Sequence, residues 1–163
     1  MKYLITERQL NLIKESEEKV LHIPTLKLFN DDWELLQQFL NKKGNPPYSI
    51  GGNLDLSNTN IKSLGNLISV DGNLYLYNSN IESLGNLTFV GGGYLDLRNT
   101  NIESIGNLTS VGGYLDLYGS KIKSLGNLTS VGGYLDLRKT PLSEIYSEEE
   151  IHKMINIGGR VYL

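Results

Sequence analysis

GGNLDLSNTNIKSLGNLISV (residues 51–70), DGNLYLYNSNIESLGNLTFV (71–90), GGGYLDLRNTNIESIGNLTSV (91–111), GGYLDLYGSKIKSLGNLTSV (112–131) and GGYLDLRKTPLSEI (132–145) follow one another without a break. One phrase returns every 20 residues, and once after 21. Self-similarity at a short fixed period is the mark of a solenoid, in which each unit packs only on its neighbours. Written under one another, the repeats form columns. Leu54, Leu74, Leu95, Leu115 and Leu135 make one; Leu56, Leu76, Leu97, Leu117 and Leu137 make the next. Two leucines separated by one residue put both side chains on one face of a strand.

Four more aliphatic columns follow. They are Ile61, Ile81, Ile102, Ile122, Leu142; Leu64, Leu84, Ile105, Leu125, Ile145; Leu67, Leu87, Leu108, Leu128; and Val70, Val90, Val111, Val131. All six columns are expected inside. A single 20-residue unit cannot bury them, whereas stacked units share one continuous core. Thr59, Ser79, Thr100, Ser120 and Thr140 come after the strand, where a hydroxyl can satisfy backbone groups that no strand pairs. Asn66, Asn86, Asn107 and Asn127 each follow a glycine. That pair suits a tight corner: glycine tolerates positive φ and the amide bridges backbone groups. The extra residue in Gly91-Gly92-Gly93 is expected to bulge at the corner and leave the strand register intact.

The pattern L-x-L-x-x-T-x-I-x-x-L resembles the leucine-rich repeat family, over about residues 50 to 145. Its 20-residue length resembles the short bacterial class. The family's asparagine position here holds Thr59, Ser79, Thr100, Ser120 or Thr140, so a hydroxyl ladder is expected in its place. The resemblance implies an α/β repeat solenoid: a right-handed coil with a parallel β-sheet of about six strands, whose function is recognition. A related β-solenoid of the receptor L-domain kind is the rival.

The flanks read as caps, giving one domain: an N-terminal cap (1–49), the repeats (50–145) and a C-terminal capping repeat (146–163). Ile5, Thr6, Gln9 and Leu10 carry a capping box and staple for a helix reaching about Glu18. Thr25-Leu26-Lys27-Leu28-Phe29 has the L-x-L spacing of an initial strand. Asn30 or Asp31 then caps a helix with Trp33, Leu36, Phe39 and Leu40 on one face, ended by Lys42-Lys43-Gly44 and two prolines. Trp33 is expected to cover the open end of the core. Ser147-Glu148-Glu149-Glu150 opens another capped helix, with Ile151, Met154 and Ile155 inward. The closing Ile157-Gly158-Gly159-Arg160-Val161-Tyr162-Leu163 repeats the strand phrase and is expected to end as an edge guarded by Arg160.

Residues alternating with the strand leucines face outward. They form three columns: Asn53, Asn73, Tyr94, Tyr114, Tyr134; Asp55, Tyr75, Asp96, Asp116, Asp136; and Ser57, Tyr77, Arg98, Tyr118, Arg138. Six of the ten tyrosines lie in them. Tyrosine and arginine are enriched at binding hot spots, and tyrosine offers a stiff contact at low entropy cost. Asp55, Tyr75, Tyr77, Tyr94, Asp96, Arg98, Tyr114, Asp116, Tyr118, Tyr134, Asp136 and Arg138 are therefore the predicted partner-binding residues. The same residue types also stabilise a sheet through cross-strand pairs. Six strands span roughly 24 Å, and three outward residues on each give a patch on the order of 400 Å², about half of one side of a standard interface.

Other function classes find little in the sequence. The 163 residues, 39% hydrophobic, suffice for one domain core, and a net charge of −3 points to no polyionic partner. With no cysteine there is no disulfide or thiolate chemistry. No apolar run marks a secretory leader or a membrane span, so a cytoplasmic protein is expected. The aspartate row is linear and cannot converge six to eight oxygens on calcium. His22 and His152 lack a neighbouring Ser/Asp set, the glycine pairs lack a Walker lysine, and no basic stripe awaits nucleic acid. The Asn-Leu-Thr sequons at Asn86, Asn107 and Asn127 read as by-products of the repeat. Expected is a non-enzymatic module without cofactor or metal that binds another protein. The alternatives are a homo-oligomeric assembly protein, or a phage-encoded protein that captures a host factor; short bacterial and viral repeat proteins look like this.

Overall fold

The computed structural model describes Thr6, Lys14, Glu15 and residues 20–163. In chain order its strands are β1 (Lys14–Glu15), β2 (Leu21–Ile23), β3 (Tyr48–Ile50), β4 (Leu54–Asp55), β5 (Leu67–Val70), β6 (Leu74–Tyr75), β7 (Phe89–Val90), β8 (Tyr94–Asp96), β9 (Ser110–Val111), β10 (Tyr114–Asp116), β11 (Ser130–Val131), β12 (Leu135–Asp136), β13 (Asn156–Ile157) and β14 (Val161–Tyr162). Two α-helices flank the repeats, α1 (Trp33–Lys42) and α2 (Glu148–Met154). The chain coils as a parallel-strand β-solenoid. Even-numbered strands from β4 to β14 form a six-stranded sheet, and β1, β2 and the odd-numbered strands from β3 to β13 form an eight-stranded one. All pairs are parallel except β1 with β2. Isolated bridges Ser63↔Ser83 and Ser104↔Ser124 hold a further side of the coil.

The eight-stranded sheet lies on the return path, where sequence alone suggests no strand. Its strands are short and follow no alternation: Ser69, Phe89, Ser110 and Ser130 pair in register, with Val70, Val90, Val111 and Val131 beside them. They are strands because the neighbouring coil supplies the hydrogen bonds, and local propensity contributes little. Across the three-glycine insertion the register holds, with Leu74 opposite Leu95 and Tyr75 opposite Asp96.

The leucine columns fill the interior. Leu54, Leu74, Leu95, Leu115 and Leu135 are buried, as are Leu56, Leu76, Leu97, Leu117 and Leu137 and the valine column. Corner glycines Gly65, Gly85, Gly106 and Gly126 all have positive φ, between 51° and 60°. Asn66 donates its amide to the Asn45 carbonyl at 2.8 Å, and Asn86 to Asn66 Oδ1 at 3.0 Å. Two inward assignments fail. Ile145 is 64% exposed and Met154 51%. The 3-10 turn Pro141–Glu144, which Thr140 caps, replaces the repeat's corner just before Ile145, and the buried aliphatics of this last unit are Leu142, Ile151 and Ile155.

The hydroxyl ladder also forms in another way. Thr59, Ser79, Thr100 and Thr140 donate to the carbonyl three residues back within their own corner, at 2.6–2.8 Å. Hydroxyls that do stitch coil to coil are Thr88, Thr109 and Thr129, each donating to a carbonyl of the preceding repeat at 2.9–3.1 Å. Asparagine ladders persist as well: Asn58–Asn78–Asn99 and Asn60–Asn80 bond side chain to side chain.

At the N-terminal end, the predicted helix to Glu18 is replaced at Lys14 and Glu15 by β1; apart from Thr6, its other positions lie outside the described residues. The first strand of the parallel run is Leu21–Ile23, which continues the sheet through β3. Residues 26–29, expected as that strand, form a 3-10 turn, because Thr25 accepts from the Lys27 N–H and starts a cap. The cap of α1 is Asp32, one residue beyond the two expected, accepting from Leu35 N–H at 3.0 Å. Asn30 and Asp31 are spent on left-handed backbone, with φ of 56° and 57°. Leu36 and Leu40 are buried, while Trp33 and Phe39 pack half-buried at the edge of the core.

Candidate functional site

The outer face of the six-stranded sheet carries the predicted residues. Alternation along each short strand sends leucine in and its neighbours out: Leu115 is 1% exposed and Tyr114 45%. Stacking then sets the neighbours against one another. Ring centroids of Tyr75 and Tyr94 are 6.0 Å apart, those of Tyr94 and Tyr114 6.3 Å, of Tyr114 and Tyr134 4.9 Å, and of Tyr134 and Tyr162 5.9 Å. The central pair is stacked at 7°; its neighbours meet it edge-on, at 81° and 79°. Offset-stacked and edge-to-face pairs add ~0.5–1.5 kcal/mol each beyond burial. Five rings thus run unbroken across β6, β8, β10, β12 and β14.

The aspartates end the strands. Oδ1 of Asp55, Asp96, Asp116 and Asp136 accepts the backbone N–H two residues on, turning the chain into the corner. Two of them, Asp96 and Asp136, also bind arginine. Arg98 makes a fork on Asp96, Nε to Oδ1 at 2.9 Å and Nη2 to Oδ2 at 2.6 Å. Its Nε also lies 3.5 Å from Asp116 Oδ2. Arg138 makes the same fork on Asp136. Charge-assisted forks of this kind fix geometry as well as energy. Asp96 points outward yet is only 1% exposed, so it anchors Arg98 and offers a partner nothing.

Asp116 differs. It has no fork of its own and accepts from the Tyr94 hydroxyl at 2.8 Å. Burial lifts its carboxyl above the ordinary aspartate value, with Asp136 and Asp96 adding to the rise; hydrogen bonds from Tyr94 and Tyr118 oppose it. Burial, then the bond to Asp116, pushes the Tyr94 phenol well above its usual range. The Arg98 guanidinium is held yet more firmly charged by Asp96. Three carboxylates, Asp96, Asp116 and Asp136, face two guanidiniums, and the Lys139 ammonium adds a third cation beside Tyr118.

The third column completes the face. The Arg98 guanidinium lies 5.6 Å from the Tyr77 ring centre; Arg138 lies 5.6 Å from Tyr118 and 5.2 Å from Tyr162. The predicted residues from Tyr75 to Arg138 therefore form one continuous array, whereas Asp55 stands exposed at the end of it. Sequence reasoning missed two members. Tyr162 sits opposite Asp136 in register, and Lys139 reaches within 4.9 Å of the Tyr118 ring centre. The signal for Tyr162 was legible in the closing Ile157–Leu163 stretch, which repeats V-G-G-x-L-x-L and places it in the aspartate column.

Two hollows adjoin the array. One, of about 120 Å³, is lined by Tyr94, Tyr114, Leu115, Asp116, Tyr134, Asp136 and Tyr162. The other, of about 620 Å³, lies at the N-terminal end, between Asp31–Glu34 and residues 55–61. Elsewhere, His22 has a serine neighbour that the sequence did not suggest: Nδ1 lies 2.9 Å from Ser49 Oγ. The two are register partners on adjacent strands, and Ser49 is buried, so the pair seals the sheet. His152 lies 3.6 Å from Glu148, one turn away on α2. Among the described residues no group of three or more His, Cys, Asp or Glu is arranged to hold a metal ion, and no helix is long and apolar enough to cross a membrane. Set against family models, curated proteins and solved structures, the chain matches none.

Proposed function

We propose that this chain is a non-enzymatic recognition module, built on a leucine-rich-repeat-like coil, that binds another protein through the outer face of its six-stranded sheet. The observation that carries this reading is the unbroken row of rings from Tyr75 to Tyr162, flanked by ion-paired arginines. Sheet stability alone calls for strand-forming residues on this face. It does not call for rings that stay partly open to water, and Tyr114 and Tyr134 remain 45% and 43% exposed. Such half-buried rings are already held by their neighbours, so little freedom is lost when a partner covers them.

Size and charge narrow the partner. The face is about half of one side of a standard interface, so the contact extends beyond it. The N-terminal hollow beside Asp55 is the natural continuation, and it adds Asp31, Asp32 and Glu34. A partner segment with apolar and basic groups complements both.

The test is capture of binding proteins from the native cell with the tagged chain and with a variant carrying Tyr94→Ala, Tyr114→Ala and Tyr134→Ala. Capture is expected to be lost while the circular-dichroism spectrum is kept. Undiminished capture by a folded variant removes this face from the reading. Light scattering of the purified chain separates a monomer, as proposed, from a self-assembling subunit.

A further inference from the structure

The small hollow over Asp116 has a definite chemistry. Its walls are four tyrosines, its floor is Leu115, and two carboxylates open into it. Two outer rings meet the inner ones nearly at right angles, Tyr94 against Tyr114 at 81° and Tyr162 against Tyr134 at 79°, while Tyr114 and Tyr134 lie stacked between them at 7°. Ring faces carry negative quadrupole density, which attracts cations and is stronger where water is excluded. Asp116 is the carboxylate without a fork, its one ionic contact being Arg98 Nε at 3.5 Å.

We infer that this hollow binds an alkylammonium group, the end of a lysine or methylated lysine side chain presented by the partner. The inference rests on the reading of the face as a protein-binding surface. Shape selects ammonium over guanidinium. Flat guanidiniums already lie over the flat faces of Tyr77, Tyr118 and Tyr162, supplied by Arg98 and Arg138. The hollow that remains is compact. A cavity of about 150 Å³ holds benzene, so one of about 120 Å³ suits a smaller, tetrahedral group. Asp116 stays partly desolvated with only the one long ionic contact to Arg98, and a second cation beside it offsets that cost.

Tetramethylammonium chloride is the first probe, and Nε-trimethyllysine and lysine, each blocked as the N-acetyl methylamide, are the next. Each is titrated into the full chain while backbone amide resonances are followed by NMR. Sodium chloride at equal ionic strength serves as the reference. Saturable shifts are expected at Leu115, Asp116 and Tyr134, in the millimolar range for tetramethylammonium. Tyr162→Ala, at the sheet edge where folding is least at risk, is expected to weaken binding about fivefold. Asp116→Asn keeps the size of the side chain and the bond from the Tyr118 N–H, with its amide donating to the Tyr94 hydroxyl in place of the carboxylate that accepted from it, and is expected to weaken binding similarly. Methylguanidinium is expected to bind more weakly than tetramethylammonium. Shifts no larger than with sodium overturn the inference, as do shifts spread evenly over the chain or unchanged in both variants. If the ammonium probes fail while the triple tyrosine variant still loses its captured partner, the face stands and only this site falls. If the probes bind at the hollow and capture does not depend on the tyrosines, the site stands and the protein-binding reading falls.

Discussion

Thr100 donates its hydroxyl to the Leu97 carbonyl at 2.8 Å, deep in a corner of the coil. One repeat later the hydroxyl of Ser120 is buried with no partner. The two positions look interchangeable in the sequence, yet they differ by a hydrogen bond. Thr100→Val is expected to cost about 1 kcal/mol, the net worth of a buried neutral bond, whereas Ser120→Ala is expected to be neutral or slightly stabilising. Urea denaturation of the two variants checks both. The aspartate column teaches a related lesson. By alternation its members point out of the coil, and they do; the turn of Oδ1 back onto the chain two residues on is local, whereas the sequence did not disclose that Asp96 is covered or that Tyr94 of one coil bonds Asp116 of the next.

Among the elements, the glycine pairs are what stacking demands. A Cβ on Gly132 would run into the Gly112 carbonyl of the coil below, far inside van der Waals contact. Gly132→Ala must push two coils apart, and a loss of about 1–3 kcal/mol is expected, the usual cost of overpacking. The same thermal melts that measure this should show it to exceed any substitution at exposed Lys121. α2 offers a pH test. Ser147 and Glu150 bond reciprocally, with the Ser147 N–H and Oγ–H both donating to Glu150 Oε2 at 2.8 Å. Those bonds hold the Glu150 carboxyl below its usual value. A lowered folded value means stability that is present above the ordinary glutamate pKa and lost as pH falls through the folded one. Glu150→Gln is thus expected to melt earlier than the parent at pH 7, and the two melting curves to converge below about pH 4. The capping box was legible because it is a local, four-residue signal. The return sheet was not, since its strands are made by the coil beside them.

At the scale of the molecule, contacts run between adjacent coils, so a whole period should be removable. Excising residues 114–133 joins Gly113 to Tyr134 and restores the same Gly-Gly-Tyr phrase. Folding is expected to survive, with a lower melting temperature and a stack shorter by about 4.8 Å in X-ray scattering. Excising ten residues from the same place breaks the column order and is expected to abolish the cooperative melt. The 20-residue period determined by itself that the chain is a stack, that leucines alternate inward with tyrosines outward, and that glycines turn the corners. A period in the covalent order becomes a translation in space, and alternation along a strand needs no neighbour. Only the tertiary structure decided that the return path is a second sheet, that Tyr162 closes the aromatic row, that Asp96 is sealed and Asp116 is not, and that Ile145 and Met154 lie outside. Those outcomes depend on which side chain a neighbouring coil sets alongside, and where the flanking units depart from the repeat the pattern no longer predicts it.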